Sequence, residues 1–294
     1  MSGLRIWLMA ARPRTLPAAI APVLVGTALA GFGHVFHPLR FLAALLGAIF
    51  IQVGTNLSND YSDARRGADA DDRLGPVRVT AGGLVPPKQV LVATYVSFGL
   101  AVLAGVYLIV VAGWLLLVIG AASILAGVLY TGGPRPYGYE GLGELFVFLF
   151  FGVVAVAGSF YVQVTHLDWE AFALSVPVGL LAAAILVVNN IRDIDSDRRA
   201  SKRTLAVKLG RTNTRWLFAA IVYGAFLLAP VTWIFGPLKP WLMLTWLALP
   251  LATALVRIVR THTDGPSLNG ALARSGMLQL VFCVLLSAGL LLSR

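Results

Sequence analysis

The sequence predicts an all-α polytopic membrane protein: nine transmembrane helices around a central cavity, with a cytoplasmic cap from the loops after helices 2 and 6. Composition, grouping of apolar residues and placement of charge lead there. Apolar residues make up 58% of the 294 and charged residues 12%, about half the charged share of an ordinary soluble domain. Mean hydropathy is +0.83. Nine apolar stretches approach the roughly 20 residues that a helix needs to cross a bilayer, at 16–33, 39–58, 89–111, 113–131, 142–164, 170–191, 215–236, 238–258 and 270–292.

The first stretch follows Arg5, Arg12, Pro13 and Arg14. It is long and carries no small-residue cleavage site, so it is expected to stay as a helix and not to be removed as a signal peptide. Arg12 and Arg14 read equally well as topology signals or cavity residues. The second stretch runs into an acidic and basic segment that opens the loop 59–88. The third and fourth lead to the loop 130–144, rich in Gly, Pro and Tyr. The fifth and sixth lead to a second mixed-charge segment in the loop 192–214. The last three carry no such cluster, and the only cysteine, Cys283, lies in the ninth. It excludes an intrachain disulfide and a cysteine metal cage and reads as a core residue. The whole chain, 1–294, is expected to form one domain.

Lys and Arg set the orientation. With the N-terminus in the cytoplasm, 20 of the 23 basic residues face inward and three (Arg40, Lys239 and Arg294) face outward. Both mixed-charge loops then share the cytoplasmic side, and the C-terminus lies outside. The net charge of +10 reads as topology plus attraction to anionic lipid or phosphate, and the lipid bilayer is an expected partner. Nucleic acid is excluded, because no soluble basic domain exists to present the charge.

The acids are concentrated. Eight of the 13 are Asp60, Asp63, Asp69, Asp71, Asp72, Asp193, Asp195 and Asp197. Carboxylates placed together at a membrane edge are functional candidates. Residues three or four apart share a helix face, so Asn56, Asn59, Asp60 and Asp63 form one stripe, and Asn189, Asp193 and Asp197 another. Aligned at an offset of 133, Asn56 meets Asn189, Asp60 meets Asp193, and Arg65 and Arg66 meet Arg198 and Arg199. This weak repeat suggests two pseudo-symmetric halves. Carboxylate and amide oxygens are the ligands Mg²⁺ prefers, and it completes its shell with water and substrate phosphate. Arg73, Arg78, Arg198, Lys202 and Arg203 follow the acids, and guanidinium groups bind phosphate oxygens bidentately. Two half-sites around a diphosphate are therefore expected.

These segments resemble the signatures of the UbiA family of intramembrane aromatic prenyltransferases. The family's first motif, Asn-Asp-x-x-Asp-x-x-x-Asp, is matched by Asn59, Asp60 and Asp63, with Gly67 in place of the last Asp and Asp69 two residues later. Its second, Asp-x-x-x-Asp, is matched by Asp193 and Asp197, and its basic tail by Lys202, Arg203 and Thr204; Ser201 stands where Gly is usual. Within the family, the stretches 59–78, 130–144 and 192–210 are most similar to the 1,4-dihydroxy-2-naphthoate polyprenyltransferase branch of menaquinone synthesis, where Gly67 followed by Asp69 is expected.

The resemblance implies that Asn59, Asp60, Asp63, Asp193 and Asp197, with Asp69 as an addition, bind two Mg²⁺ that clamp a polyprenyl diphosphate. It implies phosphate contacts from Arg78, Lys202 and Arg203. The implied reaction begins with metal-assisted loss of diphosphate. The naphthoate ring then attacks the allylic cation, and loss of carbon dioxide gives demethylmenaquinol, in a bacterial cytoplasmic membrane. In the loop 130–144, Arg135 is expected to hold the acceptor carboxylate. A tyrosine there, Tyr139 foremost, would stabilise the cation or help deprotonate the acceptor. Two alternatives differ in acceptor or class. The first is a family member acting on 4-hydroxybenzoate or a sugar phosphate. The second is a cation transporter, disfavoured because both clusters sit at helix ends among arginines. A phosphotransferase of the CDP-alcohol type fits less well, since its acids fall in one motif.

Overall fold

The protein is represented by a computed structural model that describes residues 3–68, 74–75 and 77–294. Asp69, expected among the metal ligands, lies outside the described residues, as do Asp71, Asp72 and Arg73. The described residues are helical, with no strand among them. In chain order the helices are α1 (Gly3–Ala11), α2 (Pro17–Phe32), α3 (Pro38–Arg65), α4 (Pro87–Ala112) and α5 (Leu115–Leu129). They continue with α6 (Gly143–Val164), α7 (Trp169–Arg199), α8 (Leu205–Leu228), α9 (Pro240–Thr261) and α10 (Gly265–Leu292).

Proline opens α2, α3 and α4, where its fixed φ suits the first helical turn and its missing N–H costs nothing. Arg12, at φ 53°, breaks α1 from α2, and the two meet at 51°. Gly210, at φ 77° and ψ 161°, interrupts α8 near its start. α6 widens into a π-helical segment over Phe148–Val154. Its cavity-facing residues Phe146, Phe150, Val154 and Gly158 recur every four positions, whereas a regular helix drifts about 40° over four residues. The wider turns take up that drift and keep one face of α6 on the cavity.

α7 is the central element. Its apolar window is 72% buried, against 28% for α3 and α4, so α7 is surrounded by protein while the other two turn much of their surface outward. The main core joins α2, α6, α7, α8 and α10 through residues such as Val25, Val156, Val178, Val222 and Phe282. Small residues permit the closest crossings. A Cβ on Gly26 of α2 would stand 2.2 Å from the Val156 carbonyl oxygen of α6. A second cluster of Ala10, Leu57, Val79, Val85 and Val90 pins the chain beyond the first acidic motif against α1, α3 and α4. Val92, Val96, Val106, Val110, Leu117 and Leu125 are exposed along α4 and α5, an apolar girdle suited to lipid and not to water.

By length and apolar character seven of the described helices can cross a bilayer, or up to eight if the bent α1–α2 pair is one span. The chain is a multi-pass membrane protein. The expected fourth span, 113–131, is realised as α5, whose 15 residues cover only about 22 Å at 1.5 Å per residue, short of the bilayer core.

Candidate active site

α3 and α7 approach one cavity of about 510 Å³ from two sides. α3 lines it with Ala48, Ile51, Gln52, Thr55, Asn56, Asn59 and Asp63. α7 lines it with Ala182, Ile185, Leu186, Asn189, Asn190, Asp193 and Asp197. Each of these seven α7 residues is 134 positions after its α3 counterpart; Ala44 and Gly47 of α3 and Ser196 of α7 line the cavity without a counterpart. The repeat is therefore real in the wall but sits one residue away from the alignment at 133: Asp193 corresponds to Asn59 and not to Asp60, and Asp197 corresponds to Asp63.

The helix ends carry the same register. After α3, Gly67 N–H donates to Ala64 O and Ala68 N–H to Asp63 O. After α7, Ser201 N–H donates to Arg198 O and Lys202 N–H to Asp197 O. These are paired Schellman caps, with Gly67 at φ 62° and Ser201 at φ 56° in the left-handed region. That region favours glycine, which explains the glycine at 67. Each cap fixes an aspartate, Asp63 or Asp197, on the last turn facing the cavity.

Around Asp63 the cations converge. Arg78 donates to its Oδ2 at 3.1 Å and the Tyr139 hydroxyl to its Oδ1 at 2.5 Å. Lys202 Nζ stands 3.8 Å from Oδ1 and 4.7 Å from the centroid of the Tyr139 ring. Asn59 Oδ1 accepts a 2.8 Å bond from the Thr131 hydroxyl. On the α7 side, Arg192 holds both oxygens of Asp193, at 2.8 and 2.6 Å. The same guanidinium donates to Asn189 Oδ1 and to Asn269 Oδ1 of α10, each at 2.8 Å. Arg192 is only 2% exposed, and such a charge needs this degree of pairing to stay buried. Its count as a topology charge missed that role; the signal was its position immediately before Asp193.

Three of the expected site residues, Asp60, Arg135 and Arg203, are absent from the cavity wall. Asp60 does not line the cavity: it is buried, and its oxygens accept the main-chain N–H groups of Thr80 at 2.9 Å and Val79 at 3.1 Å. One position off the cavity stripe turns it behind α3, where it holds the returning loop. Arg135 is exposed between Pro134 and Pro136 and is absent from the cavity wall. Arg203 is also exposed; its main-chain N–H, not its guanidinium, reaches the site by donating to Tyr139 O at 2.8 Å. Tyr137, one of the loop tyrosines, donates to Ala126 O at 2.8 Å, and burial pushes its phenol well above the usual value. It stacks on Phe146 at 4.0 Å between centroids and serves as wall.

The donor set is oxygen-rich, as Mg²⁺ requires. Among the described residues no three His, Cys, Asp or Glu side chains gather closely enough to cage a cation alone. The fit is to an ion shared between a few carboxylates and phosphate oxygens, with Arg78 and Lys202 beside it for the same phosphates.

Comparison with known proteins agrees with this geometry. Residues 19–291 match the UbiA prenyltransferase family. A 1,4-dihydroxy-2-naphthoate octaprenyltransferase of Mycobacterium tuberculosis is 42% identical over 99% of this chain and 98% of its own. The protein of that name in Escherichia coli is 38% identical over 100% of this chain and 97% of its own. Among solved structures, a UbiA homolog from Archaeoglobus fulgidus bound to DMAPP and Mg²⁺ superimposes with a TM-score of 0.65. It is 12% identical, covering 96% of this chain and 99% of that one. The apo UbiA homolog from Aeropyrum pernix gives a TM-score of 0.68 at 14% identity, covering 93% and 97%.

Proposed function

The chain belongs to the UbiA prenyltransferase family, and on that premise we propose that it transfers a polyprenyl group from a polyprenyl diphosphate to 1,4-dihydroxy-2-naphthoate. Diphosphate and carbon dioxide leave, and demethylmenaquinol is formed for menaquinone synthesis. The observation that carries this reading is the pair of acidic faces, 134 residues apart, meeting Arg78 and Lys202 at the polar end of an otherwise apolar cavity. Relatives named for this reaction, 42% and 38% identical over nearly the whole chain, support the choice of acceptor.

The polar end takes the diphosphate and the apolar remainder takes the prenyl chain. Asn59, Asp63, Asp193 and Asp197 would hold Mg²⁺, with Asp69 as a further ligand. When bound, Mg²⁺ supplies positive charge for the oxygens of the departing diphosphate. Arg78 and Lys202 move from Asp63 to those oxygens, an exchange between two partners of like charge. Such preorganised charge is often the largest part of catalysis. Tyr139 orients Asp63 through its hydroxyl, and Asp60 acts from behind by holding residues 79–80. The wall of Phe146, Phe150 and Tyr137 excludes water, so that the allylic cation meets the naphthoate carbon and not hydroxide.

Nine crossings in one domain are part of the proposal, with α5 as a short span packed against α3 and α4. The N-terminus and both motif loops would lie on the cytoplasmic side of a bacterial cytoplasmic membrane, where the loops form a cap, and the C-terminus outside. The asymmetry of 20 basic residues to three supports this orientation. The test is detergent-purified protein given 1,4-dihydroxy-2-naphthoate and a polyprenyl diphosphate, with Mg²⁺ or with EDTA. Mg²⁺-dependent prenylated naphthoquinol and carbon dioxide are expected. Product from 4-hydroxybenzoate alone would replace the acceptor.

A further inference from the structure

Glu144 is a buried acid that the cation and diphosphate site does not use. It is 7% exposed. Its Oε1 accepts a 2.8 Å hydrogen bond from Nδ2 of Asn190. Its Oε2 is buried without a hydrogen-bond partner among the described residues. Buried polar atoms in that condition are rare and call for an explanation.

Asn190 supplies one. It lies on the cavity wall, three residues before Asp193. Because Glu144 Oε1 accepts from Nδ2, the amide of Asn190 is turned with its oxygen as the remaining polar end. The counterpart 134 residues earlier, Asn56, is held instead by neutral groups, Ala11 O at 3.0 Å and Thr15 Oγ1 at 3.1 Å. Tyr130 lines the same wall. Its hydroxyl packs 3.6 Å from where a Cβ on Gly143 would stand, and Glu144, Asp63 and Asp197 are its acidic neighbours.

We propose that Asn190 and Tyr130 form the subsite for a ring hydroxyl of the aromatic acceptor, with Glu144 as the positioning residue that holds the Asn190 amide oxygen toward it. This rests on the prenyl-transfer reading. The chemistry needs an acceptor there and no strong base. The bond from the prenyl carbon to diphosphate oxygen breaks with its electron pair going to diphosphate. The ring carbon bonds to the prenyl carbon, and the carboxylate leaves as carbon dioxide, its bonding pair restoring the ring. No proton is lost overall, so the hydroxyl keeps its hydrogen. An amide oxygen that accepts from it makes the ring more electron-rich without removing the proton.

The test compares hydroxylated 2-naphthoates with 2-naphthoate itself as inhibitors of wild-type enzyme and of Asn190→Ala, Glu144→Leu and Glu144→Gln. Wild type should prefer the hydroxylated compounds by roughly tenfold or more, since a site built for a hydroxyl rejects the analogue lacking it. Asn190→Ala and Glu144→Leu should lose that preference and raise the acceptor KM, leaving the polyprenyl diphosphate KM in place. Glu144→Gln, whose amide oxygen still accepts from Asn190, should keep most of it and controls for folding. Undiminished preference in Asn190→Ala, or donor and acceptor KM rising together in Asn190→Ala and Glu144→Leu, would overturn the inference. Absence of prenylated naphthoquinol with wild type would instead overturn the reading beneath it.

Discussion

α3 and α7 end in the same backbone cap and present the same seven cavity positions, yet their acids are held in different ways. On α3, Asp63 and Asn59 are tied to groups distant in sequence: Arg78, Tyr139 and Thr131. On α7, Asp193 is tied to its own neighbour Arg192, which reaches on to Asn189 and Asn269. Among the described contacts, one half is assembled from loops, and the other is held from within a buried helix. The loop-built half can exchange Arg78 and Lys202 between carboxylate and phosphate, while the helix-built half stays fixed. Repeats of this kind conserve a scaffold and divide the labour.

The largest expected effect tests the equivalence of the two halves. Asp63→Asn and Asp197→Asn should each lower turnover by roughly 10²-fold or more with little change in thermal stability, read by product formation and by melting in detergent. Loss from one alone would break the comparison. Next comes Arg192→Ala, which removes the guanidinium that holds both oxygens of buried Asp193. A cost of about 3–5 kcal/mol is expected, seen as a lowered melting temperature; a neutral result would mean Asp193 is not held from within its helix. Asp60→Ala should cost about 1–3 kcal/mol for each main-chain N–H left unsatisfied. At saturating substrate it should retain far more turnover than Asp63→Asn. Equal losses of turnover would restore Asp60 as a ligand.

The smallest effect probes the shared cap. Gly67→Ala should destabilise by about 1 kcal/mol, the left-handed penalty for a residue with a Cβ. Ser201→Gly should gain a fraction of that, since relief of the same penalty is offset by the backbone entropy of glycine. Opposite signs in melting experiments would sharpen the equivalence of positions 67 and 201.

Much of this was legible in the sequence because membrane helices announce themselves by apolar length and because acids are scarce in them. The stripes ending at Asp63 and Asp197 followed from helical spacing alone. The register of the repeat did not. Four identities favoured an offset of 133, whereas the caps after Asp63 and Asp197 set 134 through hydrogen bonds that no residue identity announces. Asp60 was drawn into the site by its place in the stripe and motif, while Asn190, counterpart of Asn56 at the true offset, was missed. Arg135 illustrates a different limit: spacing assigns no face to a turn such as 132–136, so its exposure could not be read. Asn269, the distant partner of Arg192, and Asn190, the partner of Glu144, lie 77 and 46 residues away in sequence, beyond any local pattern.

The central claim is that the two halves together hold Mg²⁺ with diphosphate. Binding of Mn²⁺, as a paramagnetic substitute for Mg²⁺, measured with and without inorganic diphosphate on wild type, Asp63→Asn and Asp197→Asn, tests it most directly. Wild type should bind Mn²⁺ much more tightly with diphosphate present, and either substitution should abolish that gain. If either variant kept the full diphosphate-dependent affinity, the cation would belong to one half alone and the shared site would be wrong.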